Sequence, residues 1–189
     1  MKSSLLVGPC PFSCKAPSVF NEVIYVDGGS KHMEQIGTGI IVGDGDSSAP
    51  HIKMDIELNP LKDESDLYHA LTHAKYQNIQ AWGFLGQRED HQLSNLFEAF
   101  NFLEDKNNVE INFENRWKVF SRGHWKISHQ GVFSLFQLNN EKVKLNGDIK
   151  YFLKSESLRA HSSHGISNFS KGEIDLENLS PIAIYLDQT

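Results

Sequence analysis

The sequence has few cysteines, no excess of positive charge and no long hydrophobic run. Cys10 and Cys14 are its only cysteines, too few for a thiolate metal site without histidine partners, and free thiols are typical of cytoplasmic proteins. The chain has 18 Lys and Arg against 24 Asp and Glu, a net charge of −6, whereas a general nucleic-acid binder needs a basic face. No apolar run approaches the length of a membrane span. We therefore expect a cytoplasmic protein that binds neither nucleic acid nor membrane.

Several common ligand-binding patterns are absent as well. The sequence contains no Gly-x-x-x-x-Gly-Lys-Ser/Thr loop, which excludes a P-loop enzyme. Gly37 and Gly39 precede an apolar run instead of following one, so they do not form a dinucleotide fingerprint. His69 and His73 are four residues apart but lack the glutamate of a zinc protease. The short run Leu5-Leu6-Val7 predicts a first strand and not an export signal.

Hydrophobic periodicity predicts two domains of different class. Residues 1–112 alternate strands with helices, which indicates an open, mostly parallel α/β sheet with helices on its faces. Residues 113–189 show short β-type runs between polar turns, which indicates a small antiparallel β-sandwich. The predicted strands are 4–7, 23–26, 39–42, 52–58, 79–84, 109–113, 117–120, 125–127, 132–138, 142–145, 151–153, 174–176 and 182–186. The first predicted helix follows a cap at Asp63, and the second spans about 90–104 with an apolar side formed by Leu93, Leu96, Phe97, Phe100 and Leu103.

Acidic residues follow the predicted strands of the first domain. Asp44 and Asp46 stand in a glycine-flanked turn directly after an apolar strand, and Asp27 ends the preceding strand in the same way. Asp63 and Asp66 open the next helix. Taken alone, the stretch with Asp44 and Asp46 is more readily an ordinary turn than a metal site. Together these acidic stretches can converge at the carboxyl edge of a parallel sheet, where carboxylate oxygens suit Mg²⁺ or Ca²⁺.

Two basic residues add a phosphate-binding element to these acids. Arg88 lies where a strand runs into a helix, and the N-terminus of a helix attracts phosphate. Asp90 in the same segment is equally well explained as a plain helix cap. With Lys62 beside the acids of the first helix, the combination suits a Mg²⁺-nucleotide, in which carboxylates hold the metal and the cations neutralise phosphate.

These segments resemble the thiamine pyrophosphokinase family in their order along the chain. The similar segments are Asp27-Gly28-Gly29, Gly43-Asp44-Gly45-Asp46-Ser47, Lys62-Asp63-Glu64-Ser65-Asp66 and Gly86-Gln87-Arg88-Glu89-Asp90-His91, followed by Asn95. Weaker similarity to the β domain of the family covers Phe133-Ser134-Leu135-Phe136, Gly147-Asp148-Ile149-Lys150-Tyr151 and Gly165-Ile166-Ser167-Asn168. The chain departs from the family pattern at Ser65, Gln87 and Phe169, which replace Thr, Gly and Glu.

The resemblance implies a thiamine diphosphokinase, an ATP-dependent transferase that gives thiamine diphosphate and AMP. It implies Mg²⁺, and a homodimer whose sites lie between the α/β domain of one subunit and the β domain of the other. The implied metal ligands are Asp44, Asp46 and Asp66, and the implied catalytic residues are these three with Arg88 and Asp90. The implied ATP-binding residues are Asp27, Gly28, Gly29, Lys62, Asp63, Arg88 and His91. The implied thiamine-binding residues are Tyr151, Ser167 and Asn168.

Two alternatives remain open at this point. A related Mg²⁺-dependent diphosphokinase could keep the same acidic segments and use another acceptor alcohol, such as a hydroxymethyl pterin. A regulatory protein could bind the nucleotide or thiamine without turnover. So many neighbouring carboxylates are costly to retain in a mere binding module, which argues against the second alternative.

Overall fold

The computed structural model describes residues 2–13, 20–48, 52–86, 88–160 and 162–188. The protein is a mixed sheet with few helices. It divides into two compact units, one of Met1–Phe102 with Ile111–Glu114, and one of Leu103–Glu110 with Asn115–Thr189. The domain division expected near residues 112 and 113 stays a prediction. Among the described residues, no helix has the length and apolar character needed to cross a membrane.

Parallel strands, with one further strand beside them in the sheet order, form the sheet of the first unit. They are β1 (Ser3–Val7), β2 (Glu22–Val26), β3 (Ile40–Gly43), β4 (Ile56–Glu57), β5 (Asn78–Trp82) and β6 (Glu110–Phe113). Their order is β6-β5-β1-β2-β3-β4, and the four pairings from β5 to β4 are parallel. Strand β1 is central, and Leu5 aligns with Val23 on one side and Gln80 on the other. Because the strands from β1 to β5 run in the same direction, the loops that follow them lie at the same edge of the sheet.

The helices of the first unit are a 3-10 turn (Asp27–His32), α1 (Met33–Ile36), α2 (Asp66–His73) and α3 (Glu89–Leu103). The expected cap of α2 at Asp63 is wrong. Ser65 is the N-cap, and its side chain accepts a hydrogen bond from the backbone N–H of Tyr68 at 3.2 Å. The hydroxyl of Ser65, one residue before the helix, accepts a backbone N–H of the first turn that has no partner within the helix. Asp63 lies two residues further from the helix start than this position.

The expected strand over 52–58 is shorter than its alternating pattern suggests, since only Ile56 and Glu57 are in β4. The reason is Asp55, whose Oδ2 accepts the backbone N–H of Ile41 at 2.8 Å. This side chain takes the place of a backbone acceptor, so the ladder begins only at Ile56, the residue after Asp55. Ile52 and Met54 still pack against the core although they are outside the strand.

The expected apolar side of α3 is only partly correct. Leu96, Phe100 and Leu103 are buried, whereas Leu93 and Phe97 are 52% and 48% exposed. The buried stripe therefore covers a narrower arc of the helix than the sequence pattern predicts.

Antiparallel strands form the second unit. They are β7 (Trp117–Phe120), β8 (Gly123–Ser128), β9 (Gly131–Gln137), β10 (Lys142–Ile149), β11 (Leu153–Ser157), β12 (Asn168–Asn178) and β13 (Ile182–Leu186). Their order is β11-β10-β12-β9-β13-β7, and β8 pairs with β12. One core joins them, built from residues such as Phe120, Phe133 and Leu176. The expected strand over 151–153 is wrong, because β11 starts only at Leu153.

Candidate active site

A cleft of about 450 Å³ opens at the carboxyl edge of the parallel strands in the first unit. Its lining includes the sequence-predicted residues Asp27, Gly28, Asp46, Lys62, Asp66, Arg88 and His91. Gly29, Asp44, Asp63 and Asp90 were also predicted for this site but are not among the residues that line the cleft. The topology explains this convergence, because β2, β3 and β5 all end at this edge.

Asp27 is held at the end of β2 by the loop that follows β3. It is only 5% exposed, and its Oδ2 and Oδ1 accept hydrogen bonds from Ser47 N and Ser48 Oγ, each at 3.0 Å. Its backbone φ is +44°, an unusual value for a residue other than glycine. Gly43 permits the close approach, because a Cβ at that position would lie 2.8 Å from Cβ of Asp27.

Asp44 and Asp46 occupy the turn after β3. Gly45 between them has φ +84°, which a glycine adopts without strain. Asp44 Oδ1 accepts the backbone N–H of Asp46 at 3.2 Å, and Asp46 Oδ1 accepts the hydroxyl of Ser47 at 2.8 Å. The turn thus leaves Asp44 Oδ2 directed to other partners, while Asp46 is exposed.

Three carboxylates form a compact group in this unit. Asp27, Asp44 and Asp66 each offer one oxygen, and these oxygens lie within 4.8 Å of one another. Asp46 is not a member of the group, so its expected role as a metal ligand stays a prediction. Asp27, expected among the ATP-binding residues, lies with the candidate ligands instead. Hard oxygen donors in this number suit a divalent cation such as Mg²⁺.

Lys62 stands between two of these carboxylates. Its Nζ lies 2.8 Å from Asp44 Oδ2 and 2.7 Å from Asp66 Oδ1. The lysine, Asp44 and Asp66 side chains are 12%, 11% and 20% exposed. The contact to Asp66 is an ion pair outside hydrogen-bond geometry, and Asp66 Oδ1 is buried without a hydrogen-bond partner in the described structure.

Burial and pairing shift the pKa values of this trio in different directions. Hydrogen bonding from Lys62 lowers the pKa of Asp44 and outweighs the effect of burial. Burial raises the pKa of Asp66 despite the neighbouring ammonium. Burial alone would lower the pKa of Lys62, but pairing with the two carboxylates outweighs it and raises that pKa. The pairing therefore favours a charged lysine.

Arg88 and Asp90 form a second pair at the start of α3. Both Nε and an Nη of Arg88 donate to the carboxylate of Asp90, with Nε at 3.1 Å from Oδ1. Hydrogen bonding from Arg88 lowers the pKa of Asp90 to about 2. Both side chains are about two-thirds exposed, so the guanidinium is accessible to an anion from the cleft. His91 is also exposed and lines the cleft, while Gln87 lies outside the described residues.

The predicted thiamine-binding residues lie in the second unit. Tyr151 is 56% exposed and lines a pocket of about 380 Å³ together with Asn168. Asn168 is buried, and its amide bonds the backbone of Tyr151 in both directions, at 3.0 Å to N and 2.7 Å to O. Ser167 has φ +58° and donates its backbone N–H to Ser134 Oγ at 3.0 Å. The structure thus assigns Asn168 a clear internal partner in Tyr151.

Sequence reasoning did not single out several residues that line the cleft. Cys10 and Pro9 follow β1, and Phe84 follows β5. Their position directly after predicted strands could have identified them, because the segments that follow parallel strands lie at the same edge of the sheet. Asn95, which was noticed in the sequence, donates from Nδ2 to the carbonyl of Phe84 at 2.8 Å and fixes the loop before α3.

Comparisons with known proteins agree with this arrangement. The family described as "Thiamin pyrophosphokinase, catalytic domain" matches residues 19–113, half of the chain. The solved thiamine pyrophosphokinase of Bacillus subtilis is 20% identical over 100% of both chains, with a TM-score of 0.76. That of Candida albicans is 16% identical over 98% of this chain and 90% of its own, with a TM-score of 0.70. At these identities the solved structures show the fold alone.

A search of curated proteins finds no match. The family match nonetheless spans Asp27, Asp44 and Asp66 together with Lys62 and Arg88. It therefore includes the carboxylate group and both cations of the cleft. The chain belongs to the thiamin pyrophosphokinase family.

Proposed function

We propose that the protein is a thiamine diphosphokinase, which transfers the pyrophosphoryl group of ATP to the hydroxyl of thiamine. The observation that carries this proposal is the group of Asp27, Asp44 and Asp66, of which Asp27 and Asp66 line the cleft together with Lys62 and Arg88. Acids that hold a metal and cations that neutralise phosphate are the parts that transfer from ATP requires. The family match over the same residues supports the same reaction.

The carboxylate group fits Mg²⁺. Its donors are hard oxygens, they lie within 4.8 Å of one another, and Asp66 Oδ1 is a buried oxygen whose neighbour is the cationic group of Lys62. We propose that Asp27, Asp44 and Asp66 hold the ion, with Asp46 as a further oxygen donor from the cleft wall. When bound, the ion supplies charge neutralisation for the phosphate oxygens and polarises the bond that breaks.

The side chains of the first unit bind and orient the phosphates. Arg88 is accessible and carries a fork of donors suited to phosphate oxygens. It stands at the N-terminus of α3, a fifteen-residue helix whose free N–H groups also favour anions. Asp90 holds the guanidinium in place through two hydrogen bonds. His91 and Gly28 complete the ATP-binding wall of the cleft.

The transfer forms one bond and breaks one. The hydroxyl oxygen of thiamine forms a bond to the β-phosphorus of ATP. The bond between that phosphorus and the oxygen bridging to the α-phosphorus breaks, and AMP leaves with the electron pair. The hydroxyl proton is released as the new bond forms. Groups that stabilise charge on the leaving oxygen, here Lys62 and Arg88, are expected to contribute most.

The remaining parts of the proposal concern the second unit and the assembly. We propose that this antiparallel unit is the thiamine-binding half and that Tyr151 supplies an aromatic wall for the ring. We further propose a cytoplasmic homodimer in which the α/β unit of one subunit faces the β unit of the other. The exposed ring of Tyr151 and the pocket beside it support the ring-binding role.

An AMP-release assay tests the proposal directly. Purified protein with ATP and Mg²⁺ is offered thiamine, hydroxymethyl pterin or no acceptor. We expect AMP only with thiamine, in equal amount to thiamine diphosphate. In Asp44→Asn we expect the rate to fall at least about a hundredfold, because a metal ligand loses its charge. Asp105→Asn, which removes the same charge from an exposed residue, serves as the matched control.

Each outcome of this assay separates the open alternatives. AMP formed with the pterin instead of thiamine would replace the acceptor and keep the metal site. ATP binding without AMP from any acceptor would favour a regulatory protein. Full activity in Asp44→Asn would contradict the metal site itself.

A further inference from the structure

Lys62 occupies a position that a metal ion would need. Its ammonium lies 2.8 Å from Asp44 Oδ2 and 2.7 Å from Asp66 Oδ1. Asp44 Oδ1 already accepts a hydrogen bond from Asp46 N, so Oδ2 is the oxygen of Asp44 with the greater capacity for a new ligand. The ammonium therefore contacts the oxygen of Asp44 with the greater capacity for a new ligand, together with one oxygen of Asp66.

The distances do not allow both cations on the same oxygens without strong repulsion. Mg²⁺ binds oxygen at about 2.0–2.1 Å, so an ion shared by Asp44 and Asp66 would lie within about 4 Å of Nζ if the lysine did not move. At about that separation two positive charges near a protein surface repel each other, and a divalent ion repels an ammonium more strongly than a monovalent one does. The side chain of Lys62 has a flexible stem that can carry its charge elsewhere.

The charges of the group indicate what the lysine does before metal arrives. Asp27, Asp44 and Asp66 bring three carboxylates within 4.8 Å of one another, and the ammonium of Lys62 pairs with Asp44 and Asp66. The lysine reduces the repulsion that would otherwise separate the carboxylates. It thereby keeps the ligand oxygens close together while the metal is absent.

We propose that Lys62 is an exchangeable internal cation, which holds the carboxylates of the metal site together and gives up their oxygens when the divalent ion binds. Released from Asp44 and Asp66, the ammonium turns to the phosphates of ATP. Lys62 is thus a positioning residue with two successive partners. This inference rests on the proposed metal site, but it does not depend on thiamine as the acceptor.

One consequence is that removing the lysine has opposite effects on the two ligands. Without its competitor, the divalent ion binds the free enzyme more tightly. Without its cation, the phosphate chain of ATP binds more weakly. A lysine that only maintained the fold would, on removal, weaken both.

The first experiment measures Mn²⁺ binding by electron paramagnetic resonance, with Mn²⁺ as the probe and without nucleotide. We expect Lys62→Met to bind Mn²⁺ about tenfold more tightly than the unaltered protein, because one competing charge is gone. We expect Lys62→Arg, which keeps the charge, to stay near the unaltered value. Lys75→Met is the control for chain charge, since Lys75 is 75% exposed and pairs with Glu22 at the start of β2.

The second measurement uses a non-hydrolysable ATP analogue at saturating Mn²⁺. We expect Lys62→Met to bind it about tenfold more weakly, and Lys75→Met to bind it as the unaltered protein does. Unchanged or weaker Mn²⁺ binding in Lys62→Met would overturn the proposal, as would unchanged binding of the analogue.

A third measurement needs no variant. Nuclear magnetic resonance of lysine ammonium groups follows Lys62, whose side chain is 12% exposed, in the unaltered protein. Saturation with Mg²⁺ alone is expected to shift or remove its signal, while that of Lys75 stays. An unchanged Lys62 signal at saturating Mg²⁺ would overturn the exchange. These three measurements require neither thiamine nor turnover. Their outcome therefore tests the exchange of Lys62 even if the AMP assay contradicts the proposed reaction.

Discussion

At the scale of single residues, Glu22 shows how one buried carboxylate can join elements of the first unit. Its side chain is 9% exposed, and Oε2 accepts hydrogen bonds from Ser4 Oγ at 2.7 Å and from Lys75 N at 3.0 Å. The Nζ of Lys75 lies 3.2 Å from Oε1. Glu22 therefore joins β1, β2 and the segment after α2 at the edge away from the cleft.

This residue gives a pH-dependent prediction. Burial alone would raise the pKa of Glu22, but the hydrogen bonds from Lys75 and Ser4 outweigh it and hold that pKa below its usual 4.5. A lowered folded-state pKa means that the stabilisation is full above the unfolded pKa and is lost as pH falls through the folded one. We expect Glu22→Gln to lower the free energy of unfolding by about 1–2 kcal/mol at neutral pH.

Urea unfolding at neutral pH and at several acidic values measures this effect. The difference in the free energy of unfolding between Glu22→Gln and the unaltered protein is expected to become smaller as the pH falls below 4.5. Glu104→Gln changes the same charge at an exposed residue and is expected to stay within about 0.5 kcal/mol throughout. A gap that widened toward acid pH would contradict the assigned hydrogen bonds.

The residues of the candidate site were largely predictable, and their pairing was not. Acids after successive parallel strands share an edge, which placed Asp27 and Asp44 together. Asp66 joins them from the start of α2, the helix that the sequence also predicted to begin with acids. The sequence could not show that Asp46 would be exposed while Asp27 joined the group. Nor could it show Lys62 between two carboxylates, because spacing along the chain does not fix distances between side chains.

At the scale of elements, the segment between β10 and β11 depends on one buried amide. Asn168 is 6% exposed. Its Oδ1 accepts the backbone N–H groups of Tyr151 and Phe169, and its Nδ2 donates to the carbonyl of Tyr151. These bonds fasten the start of β12 to the segment that presents the Tyr151 ring. We infer that Asn168 positions Tyr151.

Two variants distinguish this structural role from direct contact with thiamine. We expect Asn168→Ala to lower the free energy of unfolding by about 2–3 kcal/mol, since three hydrogen bonds are lost at a buried position. We expect Tyr151→Ala, at a residue 56% exposed, to change stability by less than about 0.5 kcal/mol and to raise the KM for thiamine.

Thermal unfolding and steady-state kinetics on the same preparations measure both effects. Asn101→Ala, at an exposed position of α3, serves as the control for loss of an asparagine. Asn168→Ala with unaltered stability and a raised KM would instead make the amide a direct contact to thiamine.

Element boundaries also show where sequence patterns fail. The strands 117–120 and 182–186 agree with β7 and β13 at both ends. Residues 182–186 are a continuous apolar run, and β7 ends on the buried pair Val119 and Phe120. The alternating stretch 52–58 predicts too long a strand, since the side chain of Asp55 replaces a backbone acceptor. The sequence pattern of α3 predicts too many buried side chains, because Leu93 and Phe97 are apolar and yet exposed.

At the scale of the whole molecule, one sheet face of the second unit has an apolar character that suits a second copy of the chain. The aromatic face comprises Trp117, Val132, Phe136, Phe169 and Tyr185. Strand register places these side chains on the face opposite the core. The ring centroid of Trp117 lies 5.2 Å from that of Phe136 and 5.1 Å from that of Tyr185. Val132, Phe136 and Phe169 are 40%, 37% and 42% exposed. Contiguous exposed apolar side chains are typical of interaction sites.

The proposed homodimer makes this face a testable interface. We expect size-exclusion chromatography with light scattering to give a molar mass twice that of the chain. We expect Phe136→Glu to lower this mass toward that of the monomer, because a buried unpaired charge is costly at an apolar interface. Leu179→Glu, at a residue 53% exposed in the turn between β12 and β13, is expected to remain dimeric. If subunits share their sites, the Phe136→Glu monomer loses AMP formation while it still binds Mn²⁺, since the carboxylate group lies within one unit. A monomeric unaltered protein with full activity would contradict the shared site.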